Sequence, residues 1–401
     1  MKRTIFLLDM DAFFISCEST RHPEISGIPA AVAGDPRKRC GIILTANYEA
    51  RKFGIKTAMT LNNALKLCPD LAVIAPDHNF YRFKSNEVID ILFSYTPTIE
   101  QNSIDEAWLD MTGCERIFGN PRKCAEDIMK QIGKELGLSC SIGISENKFL
   151  SKMASEIKKP SSITELWRKD IEKKLWNLPV ESMYGIGKHT AEKLRNMKIN
   201  TIGEIANYNK NILIKKLGKS GSEIYELANG IDDSPVKPHS HDDIKSIGKS
   251  VTLSKDICNI DQAKRILMQL SDKVGMAARK QNKKGRIVTI SIKYNNFKTI
   301  TRRTTIKETF LVKEIYSAGV GLLEKNWNSQ MPVRLLGVTL SGFINNHEGK
   351  QISIFDISKT RNMETSRNKY DKIEAVIEYI RRKYGYSIIN RAVLLNKKNK
   401  R

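Results

Sequence analysis

Three acidic residues lie at the end of a predicted strand or in the turn between two strands, and their carboxylates are suited to binding metal ions. Asp9 follows the apolar run Ile5–Leu8, which predicts a buried strand. Asp105 and Glu106 lie between two further predicted strands, Ile99–Ser103 and Ala107–Met111. Carboxylates on adjacent strand ends can hold two divalent cations about 4 Å apart, which activate an attacking hydroxyl and stabilise a leaving oxygen in phosphoryl transfer. Hard oxygen ligands of this kind favour Mg²⁺.

Each acid also has a structural explanation of its own. Asp11 could be the N-cap of the helix predicted at Ala12–Ser19, and Asp105-Glu106 could be a solvated hairpin turn. With residues 12–76 set aside, however, the predicted elements up to Ile144 follow the order β-α-β-β-α-β of a ferredoxin-like split βαβ unit. In that topology the first strand and the hairpin are neighbours, so Asp9 and the Asp105-Glu106 pair should lie side by side.

The rest of the chain divides into three further segments. Short helices with Gly-rich turns are predicted from Lys169 to Asn229, before the polar linker Ile231–Asp243. Ser246–Phe343 shows a second β-α-β-β-α-β order, for which we expect the topology of the first unit. In the tail, an amphipathic helix is predicted at Lys372–Lys383, and Ile388–Leu395 would complete a small basic helix-strand element.

Charge is concentrated in the second half of the chain. The 401 residues include 67 Lys+Arg and 44 Asp+Glu, a net charge of +23. Residues 1–240 carry only +4 of it, residues 241–350 carry +11, and residues 357–401 carry +9. This asymmetry indicates a polyanionic partner held mainly by the C-terminal half, with a solvated basic surface as the alternative.

Cysteine usage and the hydropathy pattern bear on location. The seven cysteines are scattered and form no C-x-x-C pair, so a disulfide framework or zinc site is not expected. The apolar run near the start is interrupted by Asp9 and Asp11, and no later window approaches a membrane span. We therefore predict a cytoplasmic protein without membrane segments.

Three sequence blocks resemble the signatures of the Y-family translesion DNA polymerases. They are Leu8-Asp9-Met10-Asp11-Ala12-Phe13-Phe14, Thr45-Ala46-Asn47-Tyr48-Glu49-Ala50-Arg51-Lys52-Phe53-Gly54 and Ser103-Ile104-Asp105-Glu106-Ala107. The resemblance extends from residue 3 to about 343. It implies that Asp9, Asp105 and Glu106 are catalytic and bind two Mg²⁺ ions, with the Met10 carbonyl as a further ligand.

The resemblance also implies a nucleotide site. Phe14 matches the steric-gate position, where an aromatic ring would clash with a ribose 2′-OH; the alternative is a core residue beside Phe13. By the same match, Tyr48, Arg51 and Lys159 would grip the triphosphate, with Thr45 close by and Phe13 also at the nucleotide. Without the match, Arg51 would be a surface residue and Tyr48 a packed one.

The expected DNA and protein contacts lie further along the chain. Gly185-Ile186-Gly187-Lys188 resembles a helix-hairpin-helix, whose backbone amides bind a phosphate without reading sequence. Basic residues of the second βαββαβ unit, above all Lys249, Arg302 and Arg303, would contact duplex DNA. Gln351-Ile352-Ser353-Ile354-Phe355 looks like the pentapeptide by which bacterial polymerases dock on the sliding clamp, with Gln351 making polar contacts and Ile354 and Phe355 filling a groove.

The resemblance implies an α+β, right-hand polymerase fold. The expected domains are a ferredoxin-like palm (1–11 and 77–167), small fingers (12–76), a helical thumb with the helix-hairpin-helix (168–235), a linker (236–244), a βαββαβ little finger (245–345), and a clamp-binding motif with a basic tail (346–401). The expected function is low-fidelity, template-directed extension of a primer 3′-OH with dNTPs, in translesion synthesis during DNA repair. The expected partners are primer–template DNA, dNTPs and the sliding clamp, with the protein itself a monomer.

Three alternatives remain at this point. One is a UmuC-like branch of the same family, which would need accessory proteins. The second is a nucleotide cyclase on a similar palm. The third is a non-catalytic protein that binds DNA or the clamp.

Overall fold

The structure, a computed structural model, describes residues 3–39, 41–238, 244–343 and 357–394. The chain forms two compact units, one made of Met1–Pro36 and Gly41–His239 and the other of Arg37–Cys40 and Ser240–Arg401. Each unit has a hydrophobic core of its own and combines helices with sheet. The predicted α+β class is therefore confirmed.

The first unit contains two sheets and a series of mostly short helices. Its strands are β1 (Ile5–Met10), β2 (Ala30–Ala33), β3 (Ile43–Ala46), β4 (Ala72–Ile74), β5 (Ile99–Gln101), β6 (Glu106–Asp110), β7 (Cys140–Ser145) and β8 (Ile163–Glu165). Its α-helices are α1 (Phe13–Arg21), α2 (Tyr48–Lys52), α3 (Leu61–Leu67), α4 (His78–Phe93), α5 (Glu115–Phe118), α6 (Pro121–Leu136), α7 (Lys148–Ile157), α8 (Ile171–Lys174), α9 (Lys188–Asn196), α10 (Ile202–Ala206), α11 (Lys210–Leu217) and α12 (Lys219–Ala228). Several helices begin at a residue whose side chain accepts a backbone N–H: Asn47, Thr60, Asp77, Asn120 and Asn147.

The larger sheet of the first unit has the strand order β5-β6-β1-β7-β8. Its first four strands, with α4 and α6, give the predicted ferredoxin-like arrangement, and β8 adds a fifth strand beside β7 that the sequence analysis did not predict. All six residues of β1 are buried, because β1 is central and covered on both faces. Phe6 and Leu8 pack into the main core, while Ile5 and Leu7 pack with Trp108 on the other face.

The other parts of the first unit have separate cores. A three-stranded sheet of order β3-β2-β4 packs with α2 and α3 around Ile43 and Leu61. The helices α8 to α12 enclose a cluster that includes Leu175, Leu194 and Leu213, and α7 contributes to the same cluster.

The second unit has the predicted βαββαβ element order but a different strand order. Its elements are β9 (Ser246–Ile257), α13 (Ile260–Lys280), β10 (Gly285–Tyr294), β11 (Thr299–Thr309), α14 (Val312–Asn326), β12 (Val333–Phe343) and α15 (Ile357–Tyr384). The sheet order is β11-β10-β12-β9, so the first strand lies at an edge. The expectation that it shares the topology of the first unit is therefore wrong. The reason lies in β9 itself, where Lys249 and Lys255 are exposed, as befits an edge strand.

The tail also differs from its prediction. The helix predicted at Lys372–Lys383 is part of the longer α15, and the following residues form two 3₁₀ turns, Tyr386–Ile388 and Ala392–Leu394, instead of a strand. Both turns belong to the second unit, and the last one packs on α13. Among the described residues, no helix is long and apolar enough to cross a membrane.

Candidate active site

The sequence-predicted acids meet at the ends of β1 and β6. Asp9 pairs directly with Glu106 across the two antiparallel strands, and the Met10 amide donates to the Asp105 carbonyl at 2.9 Å. The predicted adjacency of Asp9 with the Asp105-Glu106 pair is therefore confirmed. Asp9 is buried, whereas Asp105 and Glu106 are partly exposed.

Oxygen atoms of Asp9, Glu106 and Glu156 all lie within 4.8 Å of one another. The Asp105 carboxylate is instead held by the Ser103 hydroxyl, which donates to it within the turn. Asn102 donates to the second oxygen of Glu106 at 2.8 Å. The carboxylates of Asp9, Glu106 and Glu156 are thus clustered where β1 and β6 end, and Asp105 directly precedes Glu106 in the sequence.

Two lysine ammonium groups balance these acids. Lys152 Nζ lies 2.9 Å from Asp9, 2.8 Å from Glu106 and 2.7 Å from Glu156. Lys159 Nζ lies 2.8 Å from the other Asp9 oxygen and 2.9 Å from Glu156. Each of Asp9 and Glu156 therefore contacts both lysines.

The pKa values reflect this balance of burial and charge. Burial raises the pKa of Asp9, and Lys152 and Lys159 offset only part of that effect. Burial alone would lower the pKa of Lys152, but Asp9 and hydrogen bonds to Glu106 and Glu156 hold it well above its usual range. Burial likewise opposes ionisation of Glu156, yet both lysines outweigh it and lower the pKa of that carboxyl.

The cluster fits a hard divalent cation. Its donors are carboxylate oxygens close enough to share one ion, and a positively charged group, the Lys152 ammonium, already lies among them. Met10 ends β1 with its side chain buried, so the part of it that remains for a ligand is the backbone.

Sequence reasoning missed Lys152 and Glu156, because it missed the helix that carries both. α7 packs on β1 and β7 and directs these two residues at the acids. The signal was present in the sequence: Asn147 caps the helix, and Phe149, Leu150, Met153 and Ala154 follow with helical spacing and are buried.

Asp11 has a structural role that differs from the predicted helix cap. Its side chain accepts from the Ser141 hydroxyl at 2.9 Å and from the Ser161 amide at 2.8 Å. The residue that precedes α1 is Ala12, in the left-handed region with φ 46° and no side-chain cap. Asp11 thus ties β7 and the segment after Pro160 to the end of β1.

The two phenylalanines at the start of α1 occupy different environments. Phe13 is 3% exposed and belongs to the core. Phe14 is half-buried, and its ring stacks on Tyr81 with centroids 4.3 Å apart and 14° between planes. Tyr81 is itself fixed, because its hydroxyl donates to the buried Glu18 at 2.7 Å. Tyr81 therefore supports one face of the Phe14 ring, and Phe14 remains partly exposed.

Tyr48 and Arg51 lie on one face of α2, as their spacing predicts. The Arg51 guanidinium lies over the Tyr48 ring, 4.6 Å from its centroid, and donates from Nε to the Ala46 carbonyl at 3.0 Å. The Tyr48 hydroxyl is buried and has no hydrogen-bond partner among the described residues. Burial, and next the charge of Asp11, raise the pKa of Tyr48 to about 12, so the hydroxyl keeps its proton and can donate. Thr45 lies nearby on β3 and is partly exposed.

The predicted helix-hairpin-helix residues lie at the start of α9. Gly187 occupies the N-cap position of α9 and has no side chain that could cap the helix, and Lys188 is the first helical residue. Gly185 has φ +90°, a conformation that favours glycine, and the space around the missing Cβ of both glycines is open. All three of these residues are exposed.

The three basic residues predicted in the second unit do not share one face of its sheet. Arg302 and Lys249 lie opposite the buried Ile290 and Val338, on the side covered by helices, and Arg302 donates to Asn326 of α14 at 3.0 Å. Arg303 lies opposite Thr289, on the open side. The predicted clamp-binding residues Gln351, Ile354 and Phe355 lie outside the described residues.

Comparisons with known proteins cover nearly the whole chain. The model of the impB/mucB/samB family matches residues 8–156, that of its C-terminal domain matches residues 244–354, and the IMS family HHH motif matches residues 168–199. A DNA polymerase IV of Clostridium kluyveri is 67% identical over 99% of both chains, and one of Alkaliphilus oremlandii is 54% identical over 99% of this chain and 100% of its own. A solved Y-family DNA polymerase chimera superposes with a TM-score of 0.76 at 25% identity, covering 86% of this chain and 100% of its own.

Proposed function

Because the chain belongs to the impB/mucB/samB family and is a translesion DNA polymerase of the Y family, we propose that it extends DNA primers where β1 and β6 end. The observation that carries this placement is the pairing of Asp9 with Glu106 in the five-stranded sheet. The right-hand polymerase fold predicted from the sequence is confirmed by the likeness to the Y-family chimera. The nucleotide-cyclase and non-catalytic alternatives are thereby set aside.

The proposed catalytic residues are Asp9, Asp105 and Glu106, which would hold divalent cations together with the Met10 carbonyl. Y-family polymerases use divalent metal ions, and we take the ions here to be two Mg²⁺ because the donors are hard oxygens. Ions bound there would supply activation of the primer 3′-OH for in-line attack on the α-phosphate and stabilisation of the departing pyrophosphate. The burial of Asp9 keeps its carboxylate in place, since its strand is paired on both sides.

Tyr48, Arg51 and Lys159 are proposed to grip the triphosphate. The Tyr48 hydroxyl supports this role, because a buried donor without a partner can be satisfied by a phosphate oxygen. Arg51 has further N–H groups besides the one used on Ala46, and these could fork across phosphate oxygens. Lys159 would exchange its contacts with Asp9 and Glu156 for phosphate. Thr45, which is partly exposed at the end of β3, is proposed to assist.

Phe14 is proposed as the steric gate against ribonucleotides. Its ring cannot retreat easily, because Tyr81 stacks behind it and is hydrogen-bonded to Glu18. A 2′-OH placed against a ring backed in this way would meet a rigid surface. Phe13 stays a predicted nucleotide neighbour, and because its side chain is buried, its backbone would make the contact.

Two surfaces are proposed to hold primer–template DNA. In the first unit, the amides around Gly185, Gly187 and Lys188 would bind a backbone phosphate. In the second unit, the open side of the sheet consists mostly of small and hydroxyl-bearing residues, which suit phosphate and groove contacts. These residues include Ser246, Gly248, Ser250, Thr252, Thr289, Ser291, Thr301, Gly337, Thr339 and Ser341, and the basic Arg303 lies among them. Lys249 and Arg302 stay predicted DNA contacts, although they lie on the other side.

The remaining assignments follow the sequence. We propose palm, fingers, thumb, linker and little finger with the boundaries given above, low fidelity, a cytoplasmic location and a monomeric state. The pentapeptide at residues 351–355 is proposed as the sliding-clamp contact. The matched segment 168–199 lies inside the proposed thumb, which supports that part of the division, whereas 8–156 covers palm and fingers together and 244–354 covers the little finger with residues on both sides of it.

The test is primer extension by the pure protein with dNTPs and Mg²⁺ on a primed template. We expect extension by the wild type and a loss of about 1000-fold or more in Asp105→Asn, because removing a ligand of the ions costs several kcal/mol of transition-state stabilisation. Asp90→Asn, an exposed substitution on α4, is the matched control.

No extension by the wild-type protein would contradict activity without accessory proteins and favour the UmuC-like alternative. Extension by Asp105→Asn at the control rate would remove Asp105 from the catalytic set.

A further inference from the structure

The tail helix α15 is attached to its unit through a charged face. Asp272 of α13 is 2% exposed and accepts from Arg381 at 2.6 Å and from Arg391 at 2.9 Å. Glu374, also buried, accepts from Arg391 at 2.8 Å. Burial opposes ionisation of Asp272, but Tyr386 and the two arginines outweigh it and lower the pKa of that carboxyl. The helix is thus docked by paired charges.

The opposite face of α15 is exposed and carries apolar, aromatic and basic side chains. Lys372, Val376, Tyr379 and Lys383 recur every three or four residues and are all exposed, so they form one stripe. Arg382 and Tyr384 flank the stripe. Tyr379 is 63% exposed and Tyr384 is 61% exposed. We call these six residues the outer face of α15.

The inner face of α15 departs from the usual amphipathic helix, in which charges face solvent, because Glu374, Glu378 and Arg381 lie on it. Acidic side chains are also less accessible than basic ones in this part of the chain. Between residues 370 and 394 of the described chain, every acidic side chain is buried or half-buried, and Glu374 and Glu378 pair with arginines. The surface that remains is positively charged around two accessible tyrosine rings, and the sequence continues with Lys397-Lys398-Asn399-Lys400-Arg401.

We propose that the outer face of α15 binds single-stranded DNA. Exposed aromatic rings among cations are the chemistry by which proteins hold unpaired bases, with the rings stacking on bases and the cations contacting phosphates. Tyr379 has Arg382 and Lys383 one turn away, and the Lys383 ammonium lies 5.2 Å from the centroid of the Tyr384 ring. Duplex DNA offers no free base faces to these rings. The surface is separate from the open side of the sheet, because α15 docks on α13.

The test uses the full-length protein saturated with a blunt-ended hairpin duplex, so that sites for duplex DNA are filled. A fluorescent oligothymidine is then titrated and its anisotropy is measured. We expect binding by the wild type, and a loss of about 30-fold or more in the double variant Tyr379→Ala/Tyr384→Ala, because each stacked ring contributes at least about fivefold in affinity. Tyr379→Phe/Tyr384→Phe keeps both rings and should bind as the wild type does.

A second pair of substitutions tests the cations. Arg382→Gln/Lys383→Gln removes two exposed charges, so the slope of log affinity against log salt should fall by about 1.4. Circular dichroism and primer extension without oligothymidine should be unchanged in every variant. If the alanine variant loses helicity, the salt slope of the Arg382→Gln/Lys383→Gln variant decides whether the outer face of α15 binds oligothymidine.

Three results would overturn the proposal. One is no binding of oligothymidine to the duplex-loaded wild type, which would leave an acidic protein as the candidate partner. Another is displacement of oligothymidine by excess duplex as readily as by unlabelled single strand. The third is equal affinity of the wild type and both sets of variants.

Discussion

The two β-α-β-β-α-β sheets of this chain have the same element order and opposite placements of their first strand. In the first unit β1 is central, paired with β6 and β7, and every one of its residues is buried. In the second unit β9 lies at the edge, paired only with β12 along the described sheet, and most of its residues are exposed or half-exposed. Element order alone therefore does not determine a sheet.

The composition of the first strand accounts for the difference. Ile5-Phe6-Leu7-Leu8 is apolar at successive positions and must be covered on both faces, which only a central strand allows. β9 mixes serines and lysines with its apolar residues, which suits an edge. The central strand places a buried carboxylate at its end, and the sheet with the polar edge is the one that we propose to contact DNA.

The largest expected difference between the units is the gain in stability that added Mg²⁺ can give. In Lys152→Met the acids Asp9 and Glu106 lose the ammonium between them, so we expect about 3 kcal/mol less stability without metal. Added Mg²⁺ should recover more stability in this variant than in the wild type, because the ion replaces the lost charge. Thermal melting with EDTA and with Mg²⁺ measures this.

Lys158→Met, an exposed substitution at the end of the same helix, is the control. The buried Asp272 of the second unit already has Arg381 and Arg391, so no comparable gain is expected there. Equal Mg²⁺ effects in Lys152→Met and in the control would refute the account of the cluster.

A smaller contrast concerns packing of the two first strands. Leu8→Ala removes a side chain that is 1% exposed and should cost about 3 kcal/mol of unfolding free energy. Val251→Ala, at a position 37% exposed on β9, should cost roughly 0.5 kcal/mol. Equilibrium urea unfolding of both variants checks the comparison, which fails if the two losses are the same.

The smallest expected effect separates the two sides of the second sheet. Arg303→Gln on the open side should weaken primer–template binding a few-fold and lower the salt slope by about 0.9. Arg302→Gln should have a smaller effect on both the affinity and the salt slope, because the Arg302 guanidinium donates to Asn326 on the helical side. Anisotropy titrations over a range of salt measure both, and a larger effect at Arg302 would reverse the assignment of the open side.

The meeting of Asp9 with Glu106 could be predicted from the sequence, because a ferredoxin-like order makes their strands neighbours. The helix that carries Lys152 and Glu156 could also be predicted, from Asn147 and the apolar residues after it, but the role of the two side chains could not, since it depends on α7 packing against β1 and β7. The order of the second sheet was also missed, because element order takes no account of the polar residues that place β9 at an edge.

The docking of α15 escaped prediction for a similar reason. Nothing in the sequence pairs Asp272 with Arg381 and Arg391, which lie far along the chain and meet only through tertiary packing. The inward face of that helix is charged, so hydrophobic periodicity gives the wrong side.

The double pairing of β1 has a consequence for which mutations the chain can accept. Successive side chains of a strand point to opposite faces, so the loss or gain of one residue between Ile5 and Asp9 would turn the Asp9 carboxylate to the other face. Both neighbouring strands resist such a slip, because their registers are set by their own residues. One apolar residue may replace another in this stretch at moderate cost, but its length is fixed. A single-residue insertion or deletion in this stretch is therefore expected to be more damaging than an exchange between apolar residues of similar size.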